Sequence, residues 1–191
     1  MRGCVIVITG APASGKTTIS RYLAKELGIP CIAKDDVKEI LFDNLVVEGD
    51  NRKQQYGKGS VEVLFYFAQK LLETGCAFIL EGNFDNYYSK PYFDELRYDY
   101  EYPVIQIVCA CGFDILYERF KSRVENGQRH PGHEDRTYSK EAFRAYLSGK
   151  TYEIDIQKSR RLVVDTSDFS KIDYAGIVDF IKKEGTGLAA R

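Results

Sequence analysis

"GAPASGKT" occupies residues 10–17 and satisfies the pattern G-x-x-x-x-G-K-[ST]. An apolar run, "CVIVI" (4–8), precedes the motif and an amphipathic segment (15–27) follows it, so a strand and a helix are predicted on its two sides. Gly10 and Gly15 allow the backbone to curl so that its N–H groups converge on phosphate oxygens. The following helix directs its positive end to the same place. The stretch therefore predicts a nucleoside triphosphate site rather than an ordinary glycine-rich turn.

The same loop predicts individual contacts to the nucleotide. Lys16 is expected to reach the β and γ phosphates, and the Thr17 hydroxyl is expected to ligate Mg²⁺. ATP and Mg²⁺ are therefore the expected ligands. The predicted nucleotide-binding residues of the loop are Gly10, Ala13, Ser14, Gly15, Lys16, Thr17 and Thr18.

Composition sets bounds on the rest of the molecule. The chain has 191 residues, 44% of them hydrophobic and 29% charged, and these values predict a single domain over residues 1–191. The net charge of −1 gives no global attraction to nucleic acid or to an anionic membrane, although a local basic groove stays open. No apolar run approaches the ~18 residues that cross a bilayer. The five cysteines include no C-x-x-C pair, which predicts buried thiols in a reducing cytoplasm. The sequence does not indicate an oligomeric state.

Short apolar runs alternate with amphipathic stretches along the chain, which predicts an α/β fold with a mostly parallel sheet covered on both faces. The predicted strands are 4–8, 30–33, 76–80, 103–110 and 161–165. The predicted helices are 15–27, one that starts near 36, 61–72, 112–124 and 171–184. The polar, glycine-containing segment 43–60 predicts a mobile loop, and 152–156 leaves an edge strand and an extended loop open.

The segment "KDDVKEILFD" (34–43) lies at the carboxyl end of the second predicted strand, near the crevice where doubly wound sheets bind ligands. Together with the loop at 10–17, it resembles the AAA_33 group of P-loop kinases, which contains polynucleotide 5′-hydroxyl kinases, zeta toxins and chloramphenicol phosphotransferases. This resemblance implies a three-layer P-loop NTPase fold with strand order 2-3-1-4-5. It also implies a small lid, here at approximately 124–138.

The resemblance assigns roles to the start of this segment. In those families an aspartate at this strand end acts on the acceptor hydroxyl, and in several of them a basic residue three positions later holds acceptor or phosphate. Asp35 and Lys38 have this spacing. Lysine stands where arginine is common, so bidentate phosphate recognition is not expected. Asp36 faces elsewhere on the helix and is expected to cap it, or secondarily to act on Mg²⁺ through water.

The third predicted strand ends in "FILEGNF" (78–84). With the implied strand order, Glu81 lies near the Mg²⁺ region, where many P-loop proteins carry an aspartate. A carboxylate that hydrogen-bonds neighbouring backbone is the alternative interpretation of Glu81. Asn83 follows at a position where contacts to the acceptor can form.

A basic segment, "ERFKSRVENGQRHPGHED" (118–135), follows the fourth strand. Arg119 and Arg123 are four residues apart and share a helical face. The resemblance implies a lid in which Arg123 acts in catalysis, Arg119 binds nucleotide and Arg129 contacts the acceptor or closes the lid; a solvated helix face is the alternative. His130 and His133, with no cysteine nearby, are interpreted as lid structure or acceptor contacts rather than as a zinc site.

The predicted function is transfer of the γ-phosphoryl group of ATP to a hydroxyl of a small molecule or nucleotide, with Lys16, Asp35 and Arg123 as catalytic residues. One alternative is a polynucleotide 5′-hydroxyl kinase, which needs a basic channel toward Asp35. Another is a nucleotide-binding switch or NTPase, which needs a flat, partner-facing surface beside Asp35 instead of an acceptor pocket. The basic residues available for a channel are Lys34, Lys38, Arg52, Lys53 and Lys58.

Overall fold

The computed structural model describes residues 3–127, 129–133 and 138–186. Five strands form one sheet with every neighbouring pair parallel and the order β2-β3-β1-β4-β5. This confirms the predicted α/β fold and the strand order implied by the resemblance. The strands are β1 (Val5–Gly10), β2 (Cys31–Ala33), β3 (Phe78–Glu81), β4 (Val104–Ala110) and β5 (Arg160–Asp165).

Helices connect the strands and cover both faces of the sheet. Two 3₁₀ turns, Pro131–His133 and Phe169–Lys171, add to them. The helices are α1 (Lys16–Leu27), α2 (Lys34–Asn44), α3 (Arg52–Glu73), α4 (Asn86–Asp99), α5 (Phe113–Glu125), α6 (Lys140–Leu147) and α7 (Tyr174–Thr186). Within the described ranges, none of these helices is both long enough and apolar enough to cross a bilayer.

The central strand β1 explains why the sheet carries helices on both faces. Val5 and Val7 belong to an apolar cluster with side chains of α3 and α4. Ile6 and Ile8 belong to a second cluster with side chains of α1 and α7. Successive side chains of a strand point to opposite faces, so a continuous apolar run can bury both faces at once.

The predicted loop at 43–60 is wrong for its second half, because α3 begins at Arg52. Tyr56 is buried in this helix, and its hydroxyl donates to the Leu45 carbonyl at 2.7 Å. Its ring packs against that of Phe42, with ring centroids 5.4 Å apart. The first turns of α3 are rich in polar residues and glycines and have no apolar stripe, so the sequence does not indicate a helix there. Contacts to α2 and to the residue after it stabilise these turns instead.

Residues 152–156 form no strand, and the Ile156 N–H donates to the Ile154 carbonyl at 2.9 Å. The buried side chain of Gln106 takes the place of strand pairing: it donates to the Ile154 carbonyl at 2.8 Å and accepts from the Ile154 N–H at 3.0 Å. Ile154 and Ile156 are buried in the same cluster as Val5. The alternation of apolar and polar residues at 152–156 thus indicates which side chains are buried. It does not indicate a strand, because the backbone of Ile154 pairs with the side chain of Gln106.

Candidate active site

The loop between β1 and α1 has the backbone curl that its glycines predict. Gly10 has φ 149°, and a Cβ there would lie 2.4 Å from the carbonyl oxygen of Cys109. Gly15 has φ 88°, and a Cβ there would lie 2.6 Å from the Phe169 ring. Each position therefore requires glycine for both its conformation and its space. The loop ends at the first turn of α1, which places that helix's free N–H groups beside it.

Lys16 is the first residue of α1, and its side chain reaches back to the start of the loop. Its ammonium donates to the carbonyl oxygens of Gly10 at 3.2 Å and Ala11 at 3.0 Å. Burial lowers the pKa of Lys16, while the carboxylates of Glu81 and Asp35 oppose that shift. A phosphate bound in the loop would give this ammonium the anionic partner that the two neutral carbonyls do not supply.

Glu81, at the end of β3, contacts Thr17 in the first turn of α1. The Thr17 hydroxyl donates to Glu81 Oε2 at 3.2 Å, and Glu81 is buried. Burial raises the pKa of Glu81, and the charge of Lys16 partly offsets the rise. A hydroxyl and a carboxylate are oxygen ligands of the kind that Mg²⁺ takes together with substrate phosphates, so the pair fits this ion. Elsewhere in the described ranges, no group of three His, Cys, Asp or Glu side chains is arranged to hold a metal.

One cavity of about 390 Å³ opens at the loop and continues past Asp35 toward α3. Most of the sequence-predicted site residues meet there, although they come from four different elements and the loops between them. Those that line it are Ala13, Gly15, Lys16, Thr17, Thr18, Asp35, Lys38, Glu81, Asn83, Arg123 and Arg129. Gly10, Ser14 and Arg119 do not line it.

Asp35 and Asp36 both lie in the first turn of α2, which begins two residues earlier than predicted, at Lys34. The N-cap is Ala33 and no side chain caps the helix, so the capping role expected for Asp36 is wrong. The helix begins directly at the end of β2, which leaves both carboxylates inside its positive end. Asp35 lines the cavity and Asp36 does not.

The surroundings of Asp35 favour its charged form. Its Oδ2 lies 3.5 Å from Arg129 Nη1. Burial works to raise the pKa of Asp35, but the interaction with His133 and the positive charges of Arg129, Lys16 and Lys34 outweigh it and hold the pKa below its usual value. The carboxylate is therefore ionised at neutral pH and can accept a hydrogen bond from a hydroxyl group.

Residues 129–133 are attached to one side of α2. Besides the pair of Arg129 with Asp35, His133 Nε2 lies 2.7 Å from Glu39 and His130 Nε2 lies 3.1 Å from Asp43. The three carboxylates are spaced four residues apart, so they share a helical face. Both histidines thus contact carboxylates of α2. Residues 128 and 134–137 of the predicted lid (124–138) lie outside the described residues.

The two arginines of α5 reach different places. Arg123 lines the cavity. Arg119 donates instead to the carbonyls of Thr166 at 2.9 Å and Ser167 at 3.1 Å, and its guanidinium lies 4.4 Å from the centroid of the Phe169 ring. Arg119 is therefore directed to the loop after β5, behind the phosphate-binding loop, and not to the space beside Lys16.

Several lining residues are absent from the sequence-based site. Gln54 lies in the part of α3 that was predicted as loop. Tyr146 lies in α6, which was not predicted, and Tyr138 precedes that helix. Lys34 and Lys53 were considered only for a polynucleotide channel, yet both line the cavity. The apolar side chains of α6 could have revealed that helix from the sequence, but nothing in the sequence shows that it borders this cavity.

Comparison with known proteins gives matches over most of the chain. The AAA domain family (AAA_18) matches residues 6–140. The crystal structure of a candidate kinase from Chloroflexus aurantiacus is 30% identical and has a TM-score of 0.85, covering 96% of this chain and 99% of that chain. Shikimate kinase from Bacteroides thetaiotaomicron has a TM-score of 0.57 at 16% identity, covering 94% and 97% of the two chains, and shares the fold.

Curated relatives match a shorter part. Adenylate kinase 8 of Mus musculus is 40% identical over 81 residues, which cover 40% of this chain and 17% of the mouse protein. An uncharacterized protein of Mycobacterium tuberculosis is 25% identical over 124 residues, which cover 61% of this chain and 25% of that protein. The chain thus spans between 17% and 25% of the length of these curated relatives.

Proposed function

The chain belongs to the AAA domain family, and we propose that it is an ATP-dependent kinase that transfers the γ-phosphoryl group to a hydroxyl of a small molecule or nucleotide. The observation that carries this proposal is the single cavity that joins Lys16, the Thr17–Glu81 pair and Asp35. The cavity continues beyond Asp35, where an acceptor has room. The similarity to the candidate kinase of Chloroflexus aurantiacus supports the same class of reaction.

The proposed reaction exchanges one phosphorus–oxygen bond for another. The acceptor hydroxyl oxygen attacks the γ-phosphorus, the bond from that phosphorus to the β–γ bridging oxygen breaks, and ADP leaves with the electron pair. The proton of the hydroxyl passes to the Asp35 carboxylate. Because the pKa of Asp35 is low, this carboxylate is ionised before the reaction and mainly orients the hydroxyl until the new bond forms.

The charge of the transferring group is offset by cations of the chain. Lys16 and Arg123 both line the cavity and would lie beside the phosphates of ATP. Thr17 and Glu81 are the residues that would hold Mg²⁺, which when bound neutralises charge on the β and γ phosphates. Arg119 would act on the nucleotide from the side of Phe169 and the loop after β5.

The acceptor is proposed to be a small molecule or nucleotide, in keeping with the resemblance to the AAA_33 group. For a polynucleotide 5′-end the basic channel is incomplete: Lys34, Lys38 and Lys53 line the cavity, but Arg52 and Lys58 do not. A nucleotide-binding switch would need a flat, partner-facing surface beside Asp35. The cavity that extends past the phosphate site beside Asp35 therefore argues against a switch.

An assay with γ-labelled ATP and Mg²⁺ tests the proposal. The acceptors are 5′-hydroxyl oligonucleotides, nucleosides, sugars, sugar acids and aminoglycoside- or phenicol-like alcohols. We expect labelled product from a small acceptor and none with Lys16→Ala. Labelled oligonucleotide alone would favour the polynucleotide kinase, and release of labelled phosphate with no labelled product would favour the switch or NTPase.

A further inference from the structure

A buried histidine in the wall of the cavity has no part in the proposed reaction. His133 lines the cavity and is only 4% exposed. Histidine side chains ordinarily change their charge between about pH 5 and 8, which makes them suitable acceptors of a proton near neutral pH. The transfer of a phosphoryl group to a hydroxyl sets one proton free, so a histidine beside that reaction can take part in it.

The two nitrogens of the His133 ring have different surroundings. Nε2 lies 2.7 Å from Oε1 of Glu39. An ionised carboxylate only accepts hydrogen bonds, so the ring donates to it from Nε2–H. In the part of the chain that the structure describes, Nδ1 has no hydrogen-bond partner. A neutral ring that is oriented in this way carries its lone pair on Nδ1, and this is the atom that can accept a proton.

Glu39 and His133 together have the parts of a proton-accepting pair. A histidine that acts as a base is commonly oriented by a carboxylate at its other ring nitrogen, and the same carboxylate stabilises the imidazolium that forms. The Glu39 side chain is 35% exposed, whereas that of His133 is 4% exposed. The carboxylate therefore keeps contact with water while it holds a ring that is otherwise enclosed.

Asp35 lies close to this pair. It precedes Glu39 by four residues on α2, so the two carboxylates share a helical face. Asp35 and His133 line the same cavity. Burial raises the pKa of Asp35, and the interaction with His133 is foremost among those that lower it below its usual value. A carboxyl group with a low pKa does not keep a proton at neutral pH, so the proton of the acceptor hydroxyl has to pass on from Asp35.

We propose that His133 receives this proton: Asp35 takes it from the acceptor hydroxyl, and Nδ1 of His133 takes it from Asp35, while Glu39 stabilises the resulting imidazolium. The inference rests on the proposed kinase function and adds a residue to it. The oxygen–hydrogen bond of the acceptor breaks as its oxygen bonds to phosphorus, and Asp35 returns to its carboxylate form. The imidazolium then releases the proton to water, so that the ring is neutral again before the next turnover.

Other charged groups surround this ring and form the background of any pH experiment. His130 belongs to the same segment, and its ring centroid lies 6.4 Å from that of His133. Because these groups are common to all variants, a change in the pH profile reports the substituted residue. Besides Glu39, the charged groups that line the cavity with His133 are Lys16, Lys34, Asp35, Lys38, Lys53, Glu81, Arg123 and Arg129.

The pH profile of His133→Gln tests the proposal by its sign. Single-turnover transfer from γ-labelled ATP is measured with the acceptor of the panel that is labelled fastest. We expect the rate at pH 7 to fall by about 10²-fold, the lower end of the range for a positioned acid or base. The acid limb of the profile should move to lower pH, because only Asp35 then has to be ionised. A purely electrostatic role predicts the opposite: without His133 the pKa of Asp35 rises, and the limb moves to higher pH. That result, or an unchanged profile, would overturn the proposal.

Two carboxylate variants separate the proton-accepting pair from the attachment of residues 129–133 to α2. Glu39→Gln keeps the size of the side chain but removes the charge that stabilises the imidazolium, so it should lower the rate by about 10-fold or more. Asp43→Asn is the matched control, because Asp43 holds His130 at 3.1 Å on the same helical face and lies outside the cavity. It should leave the rate nearly unchanged.

The outcomes distinguish the inference from the function on which it rests. Equal losses in Glu39→Gln and Asp43→Asn would mean that both carboxylates only attach the segment, and would overturn the role of His133 while leaving the kinase in place. Thermal melts establish that each variant is folded, and the two carboxylate variants decide the question if His133→Gln does not fold. Release of labelled phosphate by the unaltered chain, with no labelled acceptor, would overturn the kinase function itself.

Discussion

The phosphate-binding half of the cleft, residues 10–18, is shaped by backbone conformation, whereas the acceptor half is assembled from side chains of α2, α3 and residues 129–133. Gly10 and Gly15 set the first half within one continuous stretch of chain. In the second half, Asp35 and Arg129 are brought together across 94 residues of sequence. The first half is therefore set by local backbone conformation, and the second half forms only when distant parts of the chain pack together. Lys16 links the two, since its ammonium binds carbonyls of the loop and its charge helps to lower the pKa of Asp35.

The largest expected effect concerns Arg123, whose positive charge borders the cavity that the two halves form. Arg123→Ala should lower kcat by about 10³–10⁵-fold with every acceptor, as loss of an arginine that stabilises a transferring phosphoryl group does. The measurement is single-turnover transfer of labelled phosphate. Lys121→Ala on the same helix is the control, since Lys121 is exposed and pairs only loosely with Glu125 at 3.8 Å. Normal kcat in Arg123→Ala would remove this residue from the catalytic set.

The next effect separates the two halves. Asp35→Asn should lower kcat by about 10²–10⁴-fold, the contribution of a general base, while ATP binds as before. Asp36→Asn is a closely matched control, because the neighbouring carboxylate lies in the same helical turn but outside the cavity. Turnover and the Kd for an ATP analogue are both measured. Near-normal turnover in Asp35→Asn, or equal losses in the two variants, would make the base assignment wrong.

A backbone substitution tests the phosphate-binding half by itself. Gly10→Ala should weaken ATP binding by about 10-fold or more, because strain of about 1–3 kcal/mol is expected where a Cβ meets the Cys109 carbonyl. Gly57→Ala is the contrasting variant: its Cβ meets open space within α3, and it should raise the free energy of unfolding by about 0.5–1 kcal/mol. Titration with an ATP analogue and chemical denaturation measure the two effects. Unchanged ATP affinity in Gly10→Ala would show that side chains, and not backbone, shape this half.

The smallest expected effect concerns the ion pair that joins Arg129 to Asp35. Arg129→Gln should raise the pKa of Asp35, which NMR titration of its carboxyl carbon can follow. A carboxylate with a lowered pKa stabilises the fold above its unfolded-state pKa, and this contribution is lost as the pH falls through the folded-state value. The variant should therefore lose about 0.2–1 kcal/mol at pH 7 and nothing at pH values below both pKa values, since the pair is partly exposed. An unchanged Asp35 titration would show that other cations set its pKa.

The elements that could be predicted from the sequence are those with a local signal. The loop at 10–17, the buried strands and helices α1, α5 and α7 are all visible as motifs or apolar periods. The first turns of α3 were missed because Tyr56, their buried anchor, lies among polar residues and glycines. The capping role of Asp36 was wrong because β2 leads directly into α2, so the helix starts at Lys34.

For the candidate site, sequence spacing indicated the residues but not all of their directions. Arg119 and Arg123 share a face by spacing, yet one reaches the loop after β5 and the other the cavity. The charged ends of long, flexible side chains on one helical face can point to different places, because each is oriented by the groups that it contacts. The roles of Lys16, Asp35 and Arg123 stay predictions until the variants are measured.

By itself the sequence determined the phosphate-binding loop and the alternation of strands and helices. These features depend on conformational preferences and periods within a few neighbouring residues. Only the tertiary structure decided that Lys34, Lys38 and Lys53 border one cavity, and that residues 129–133 lie along α2. The electrostatic potential at the acceptor end is the sum of contributions from charged side chains in distant parts of the chain. It is therefore set only when the helices that carry these side chains pack against one another.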